Sequence, residues 1–275
     1  MTDLGDDDAH TLARALAEGL PAVYRDPVRY ELLASMTAPF DLAFWRGLAA
    51  EHGGPVLELG AGTGRVALAL AEAGHDVTGL DRSLALLEWA RARARERGLS
   101  VTLAAGDLRD FELGRRYRLV IAPYHVFHHL LDRASIQAFF RQARQHLTDD
   151  GWLVVDAFQP SLAFLGGAPG ERRQVLRYRD PYRDVEVRLF EENHYDPATQ
   201  VNRIVWSYEV AGEPDPERDE LTMRIVFPQE LDALFELGGF TIVHKWGNYD
   251  RTPFGSSSPK QLVVARPLAA AVVPA

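Results

Sequence analysis

A chain of 275 residues, 47% hydrophobic and 25% charged, can bury a large core; that balance excludes disorder, and the lack of any recurring segment excludes a repeat array. Its longest apolar stretch, Pro267 to Ala275, is too short to span a bilayer, and the absence of cysteine excludes disulfides, thiolate nucleophiles and cysteine zinc sites. The net charge of −9 argues against nucleic acid as the main partner, although Asp3, Asp6, Asp7 and Asp8 supply much of it, and aspartates where a secretory signal would be basic predict a cytoplasmic protein.

Residues 1–50 predict helices, broken at Pro21 and near Pro39. From Val56 the chain alternates short apolar runs with amphipathic segments. Val56-Leu57-Glu58-Leu59 predicts a buried strand, Val66 to Ala73 a helix stopped by Gly74, and Asp76 to Leu80 a second strand closed by Asp81. Ser83 to Arg97 carries Leu84, Leu87, Ala90 and Ala94 on one helical face and ends at Gly98. Arg91, Arg93, Arg95 and Arg97 fall at every second position, so they spread around that helix as a solvated face, not an RNA-binding stripe. Val101 to Ala105 and Leu119 to Ala122 predict the third and fourth strands. Ile136, Phe139, Phe140, Ala143 and Leu147 form one stripe of the next helix, after which Asp150-Gly151 should turn the chain into a fifth strand, Trp152 to Phe158. Strands alternating with helices imply a parallel sheet covered on both faces.

Past Pro160 the period changes. Val185, Val187 and Leu189 alternate with polar residues, as do Ile204, Trp206, Tyr208 and Val210, and then Leu221, Met223, Ile225 and Phe227. Three or four antiparallel strands are predicted, with turns near Asp180-Pro181, Asp196-Pro197 and Glu213-Pro214. Pro228 to Leu237 is a short helix, and Thr241 to Trp246 and Gln261 to Ala265 are two final strands of the main sheet. The expected fold is α/β, a doubly wound, mostly parallel seven-stranded sheet. Its expected parts are a helical cover over 1–50, a core over 51–171 and 228–267, and an antiparallel β insert over 172–227 that caps the substrate site.

The motif with the most chemical content is Glu58-Leu59-Gly60-Ala61-Gly62-Thr63-Gly64, between a strand and a helix. Glycines there let the backbone turn tightly and approach a ligand that a Cβ would strike. Asp81 ends the next strand, where an acid can accept both ribose hydroxyls, and Asp107 follows the third strand in Gly106-Asp107-Leu108. In a doubly wound sheet these strand ends border one crevice, so together they specify an adenosine-containing ligand. A dinucleotide loop reads G-x-G-x-x-G, whereas here the third glycine comes one residue early.

That G-x-G-x-G form resembles motif I of the class I S-adenosylmethionine-dependent methyltransferases, and the chain is similar to their small-molecule branch, including antibiotic amino-sugar N-methyltransferases. The resemblance is strong over residues 55–160 and continuous from about 20 to 267; Gly238-Gly239-Phe240 also fits it. It implies a Rossmann-like fold, S-adenosyl-L-methionine as cofactor and no metal. The implied cofactor-binding set is Tyr30, Glu58, Gly60, Ala61, Gly62, Thr63, Gly64, Arg65, Asp81, Arg82, Gly106, Asp107, Leu108 and Ala122. Asp81 matches the family's ribose acid and Asp107-Leu108 its adenine pair, and Arg65 is placed to meet the methionine carboxylate. The Asp/Asn-Pro-Pro-Tyr/Phe motif of DNA amino-methyltransferases is absent, since the corresponding stretch reads Ala122-Pro123-Tyr124-His125.

Residues just after the fourth strand face the donor methyl in that family. Here they are Tyr124-His125-Val126-Phe127-His128-His129. An imidazole titrates near neutral pH, so one of the three histidines is expected to take a proton from the substrate nucleophile, with His129 and His125 ranked before His128. Tyr24, on the helical cover, joins Tyr124 and these histidines as a catalytic candidate. The spacing of His125, His128 and His129 would also suit a metal on a helix, but no acid cluster accompanies them. Phe158-Gln159 and the segment from Asn248-Tyr249-Asp250 to Ser258 are expected to help close the pocket. The predicted function is methyl transfer to nitrogen, oxygen or activated carbon of a small secondary metabolite, by a monomer or homodimer. A cofactor-binding protein without catalysis and a nicotinamide-dependent reductase are the alternatives; the glycine spacing and the lack of a Tyr-x-x-x-Lys pair argue against the second.

Overall fold

The computed structural model describes residue 16 and residues 18–37 and 40–268. The aspartates at the start of the chain, Pro39 and most of the apolar tail lie outside the described residues. A 3-10 turn at Ala22–Tyr24 leads into α1 (Pro27–Thr37) and α2 (Leu42–His52). Then come β1 (Val56–Leu59), α3 (Arg65–Glu72), β2 (Val77–Asp81), α4 (Leu84–Glu96), β3 (Thr102–Ala105) and β4 (Tyr117–Ala122). A second 3-10 turn, Val126–His129, precedes α5 (Arg133–His146) and β5 (Leu147–Phe158). The chain continues through α6 (Leu162–Leu165), β6 (Arg173–Asp180), β7 (Val185–Asp196), β8 (Val201–Val210) and β9 (Glu217–Arg224). It closes with α7 (Pro228–Leu237), β10 (Phe240–Trp246) and β11 (Lys260–Pro267).

Seven strands form the main sheet in the order β10-β11-β5-β4-β1-β2-β3. All neighbours from β3 to β5 pair parallel, while β11 runs antiparallel to both β5 and β10. The winding therefore reverses between β1 and β4, which opens a crevice at their carboxyl ends. The inner strands are apolar on both faces because both are covered. Leu57, Leu59, Val120 and Val155 pack with Phe139, Phe140 and Phe235 from α5 and α7. Val56, Leu119, Ile121 and Val154 meet Trp45, Leu48, Val66 and Leu70 from α2 and α3 on the other side.

The remaining strands form a separate antiparallel sheet, β6-β7-β8-β9, with turns where the Asp-Pro and Glu-Pro pairs stand. One face packs Val187, Leu189, Tyr208 and Val210 against Val23 and Leu33 of the cover. Asp219 of β9 accepts the Ala22 and Val23 amides at 2.8 and 2.7 Å, so the insert holds the first turn of the cover in place.

Two local expectations need correction. β5 starts at Leu147, directly after α5, and Asp150-Gly151 lies inside it as an irregularity: Tyr117 pairs with Leu147, then the register shifts so that Leu119 pairs with Trp152. On α4 the buried face holds Leu86 with Leu87, Ala90 and Ala94, while Leu84 is only half-buried, because Leu86 is drawn to the crevice wall.

Candidate active site

The loop after β1 is shaped by three left-handed glycines, Gly60, Gly62 and Gly64, with φ of 74°, 55° and 79°. The Gly60 and Ala61 amides both donate to the Leu80 carbonyl, at 2.8 and 2.9 Å, which ties the loop to the end of β2. Gly62 N–H donates to one oxygen of Asp81 at 2.7 Å and Ser83 N–H to the other at 2.8 Å. Burial raises the pKa of that carboxyl, and the two amides oppose the rise. Tyr30 lies on the loop so closely that a Cβ on Gly62 would sit 3.0 Å from its phenol oxygen.

Beside this loop opens a cavity of about 300 Å³. Of the residues expected at the site, Tyr24, Tyr30, Gly60, Asp81, Arg82, Gly106, Leu108, Tyr124 and His129 line it. Leu20, Pro21, Leu80, Leu86 and Leu131 add apolar wall, and Glu220, Leu221 and Thr222 close it from β9. Sequence reading missed the β9 residues, since alternation marks a strand but not the cavity that its face meets.

The histidines part company. His129 Nε2 lies 2.9 Å from the Tyr24 hydroxyl, and its ring also hydrogen bonds to the Thr222 backbone. Burial lowers its pKa to about 4, so the ring is neutral; with its N–H given to the Thr222 carbonyl, its bare Nε2 accepts the tyrosine proton. Burial likewise raises the pKa of Tyr24, which stays a phenol.

His128 is a structural residue, contrary to its place among the catalytic candidates. Its Nδ1 donates to the Arg224 carbonyl at 2.6 Å, its Nε2 accepts Phe158 N–H at 3.2 Å, and the ring stacks on Phe158 at 3.7 Å. Both nitrogens are spent joining β9 to β5. Burial lowers its pKa to about 3, so the unfolded chain binds a proton that the folded one refuses. Stability from this group is complete above pH 6.5 and falls as the pH drops, by about 1.4 kcal/mol per unit. Urea unfolding at pH 7 and pH 5 should therefore show the wild type losing about 2 kcal/mol more than His128→Gln, which keeps a donor and an acceptor but does not titrate.

His125 is also outside the cavity. It belongs to a buried group around Asp156, whose carboxylate accepts Tyr249 O–H at 2.7 Å and Tyr124 N–H at 3.1 Å. His125 Nδ1 and Lys260 Nζ stand 3.6 and 3.5 Å from its other oxygen. Burial alone would raise Asp156; these neighbours, His125 and Lys260 foremost, hold it below the ordinary range. The group fixes a strained corner, because Tyr124 and His125 both have positive φ, 51° and 66°. Tyr249 is thus how the 248–258 segment reaches the site: it supports the cavity wall from behind and does not line it.

Several expected cofactor residues support the cavity in the same way. Arg65 gives both terminal nitrogens to the buried Asp41, at 2.5 and 2.7 Å, and lies near the Tyr124 ring; it is neither a solvent-facing residue nor part of the lining. Glu58 is buried beneath the loop, where desolvation lifts its pKa to about 8 against the pull of Arg65. Ala61, Thr63 and Ala122 are buried. Asp107 turns from the cavity to bind Arg109 twice, at 2.8 and 2.6 Å, and stands 3.4 Å from Arg82, so it positions a wall residue.

These features fit S-adenosylmethionine. Each Asp81 oxygen keeps a lone pair beyond its backbone bond, at the wall of a slot whose apolar sides are Leu80, Leu86 and Leu108. Residues 56–151 match the family model described as a methyltransferase domain. Over 251 residues the chain is 30% identical to the cypemycin N-terminal methyltransferase of a Streptomyces species, covering 89% of this chain and 97% of that protein. The chain belongs to the S-adenosylmethionine-dependent methyltransferases. This methyltransferase is also 31% identical, over 51% of its length and 55% of the relative's, to dTDP-3-amino-3,6-dideoxy-alpha-D-glucopyranose N,N-dimethyltransferase of Streptomyces fradiae. Among solved structures, the CcbJ methyltransferase of Streptomyces caelestis superposes with a TM-score of 0.75 at 28% identity, covering 83% of this chain and 90% of that one. Among the described residues, no helix of the methyltransferase is long and apolar enough to cross a membrane, and no group of three His, Cys, Asp or Glu could hold a metal.

Proposed function

We propose that this methyltransferase methylates an amine nitrogen of a small secondary metabolite. When bound, S-adenosylmethionine supplies an electrophilic methyl group on a sulfonium. Asp81 accepts the ribose hydroxyls, the left-handed glycines let the backbone approach, and Leu86 and Leu108 flank the adenine. Tyr24, Tyr124 and His129 then face the methyl acceptor.

The observation that carries the reading is the Tyr24–His129 pair. The tyrosine proton is committed to His129 Nε2, which leaves the phenol lone pairs to accept a hydrogen bond from the incoming group. A hydroxyl nucleophile must lose its proton as it attacks, and a ring with a pKa near 4 is a poor base for that. A neutral amine attacks with its own lone pair and sheds its proton afterwards, so it needs orientation more than basicity. The relatives from Streptomyces fradiae and the cypemycin pathway, both named for methylation at nitrogen or at an N-terminus, support the same choice.

The test uses S-adenosylmethionine labelled with carbon-13 in the methyl group and a panel of small primary amines paired with their hydroxyl isosteres. The label should appear on nitrogen, and only in the amine members. Label on oxygen or carbon would contradict the assignment.

A further inference from the structure

A second cavity, of about 240 Å³, lies between β8, β9 and the segment after β5. Its apolar walls are Phe158, Phe164, Ile204, Met223 and Ile225. Leu221 lines the first cavity and Met223 the second. Two residues apart, these side chains share one face of β9, and the step between them is about 7 Å. Both cavities therefore open on the same face of the insert.

A chain of hydrogen bonds on that face sets the chemistry of the second cavity. Glu191 accepts Trp206 Nε1–H at 2.9 Å and Asn193 Nδ2–H at 2.8 Å. A carboxylate can only accept, so Asn193 must present its amide nitrogen there and its oxygen to the next residue. Asn202 accordingly donates its own Nδ2–H to Asn193 Oδ1, at 2.6 Å. The orientation of all three groups is thus set from one end. What remains at the other end is Asn202 Oδ1, on a residue only 2% exposed, with no hydrogen-bond partner. Gln159 Oε1, a second buried oxygen without a partner, belongs to the same wall. An unpaired buried carbonyl costs stability, and only a donor satisfies it. No lysine or arginine among the described residues lines the cavity to supply one.

We infer that this cavity is a subsite for the part of the methyl acceptor remote from the methylated nitrogen, and that it takes an apolar group bearing an O–H or N–H donor. The inference rests on the first cavity being the transfer site. Asn202 fixes the donor, and Phe158, Ile204 and Met223 bury the apolar body. Acidic groups are disfavoured, because a carboxylate would meet the Asn202 carbonyl and the Glu191 carboxylate.

Four fragments separate these chemistries: phenol and benzylamine as donors, toluene as the apolar shape alone, and benzoate as an acceptor anion. Binding is followed by the Trp206 indole N–H resonance, assigned through Trp206→Phe. Phenol and benzylamine should bind at least about fivefold more tightly than toluene, the worth of one net hydrogen bond. Benzoate should not saturate. Asn202→Leu should bring phenol down to the affinity of toluene, and Met223→Trp, which fills the space from the strand position opposite Asn202, should abolish binding of phenol, benzylamine and toluene. Equal affinities for phenol and toluene, a phenol preference that survives Asn202→Leu, or no response from any fragment would overturn the inference. S-adenosylmethionine affinity, measured on the same samples, should be unchanged in both variants; since the fragments need no cofactor, a failure of the first cavity would register separately.

Discussion

Asp81→Asn should weaken S-adenosylmethionine binding by roughly ten- to a hundredfold, with the fold intact, since hydrogen bonds to a charged group are worth about 1.5–3 kcal/mol. The upper end is expected here for a local reason. The Asp81 carboxylate accepts from Gly62 N–H and Ser83 N–H at the same time as it faces the cavity. An asparagine can accept on one side only and turns its own N–H₂ toward the other donor, so the glycine loop loses support as the ligand loses a partner. Calorimetry on the folded variant measures the change. Affinity within about twofold of the wild type would mean that the carboxylate does not meet the ligand.

The second large effect should come from the Tyr24–His129 pair, and a series of variants separates orientation from basicity. Tyr24→Phe removes the oxygen that receives the methyl acceptor and should lower kcat by roughly a hundredfold, the scale of a lost positioning contact. His129→Leu leaves the phenol without its hydrogen-bond acceptor and should cost nearly as much. His129→Gln restores a side-chain oxygen for the Tyr24 proton, so it should lose only about tenfold. S-adenosylmethionine affinity should change little across the series. If His129→Gln were as damaging as His129→Leu, the ring would be acting as a base and not as an orienting partner.

Much of the frame was legible in the sequence because each signal there was local. The alternating runs of β7, β8 and β9, the proline turns between them, and the strand–glycine–helix step at Leu59 all follow from residues near in sequence. The glycine spacing, with the lack of a Tyr-x-x-x-Lys pair, argued for a methyl-donor site over a dinucleotide site. What stayed hidden depends on contacts between distant segments. Three histidines in one short stretch look alike until Thr222, Phe158 and Asp156, from β9 and β5, determine what each ring nitrogen meets. Arg65 reads as a partner for the methionine carboxylate until Asp41, 24 positions earlier, folds against it. Asp107 reads as a ligand acid until its near neighbour Arg109 takes both oxygens, a rotamer choice that spacing does not encode.

The pairing at His129 can be observed directly by nitrogen-15 NMR of the imidazole rings, with His129 assigned through His129→Gln. The ring should remain neutral, protonated on Nδ1 and bare on Nε2, from pH 8 down to about pH 5, because its pKa lies near 4. Tyr24→Phe should shift the Nε2 resonance by removing its donor. An imidazolium at pH 7, or an Nε2 signal indifferent to Tyr24→Phe, would contradict the account.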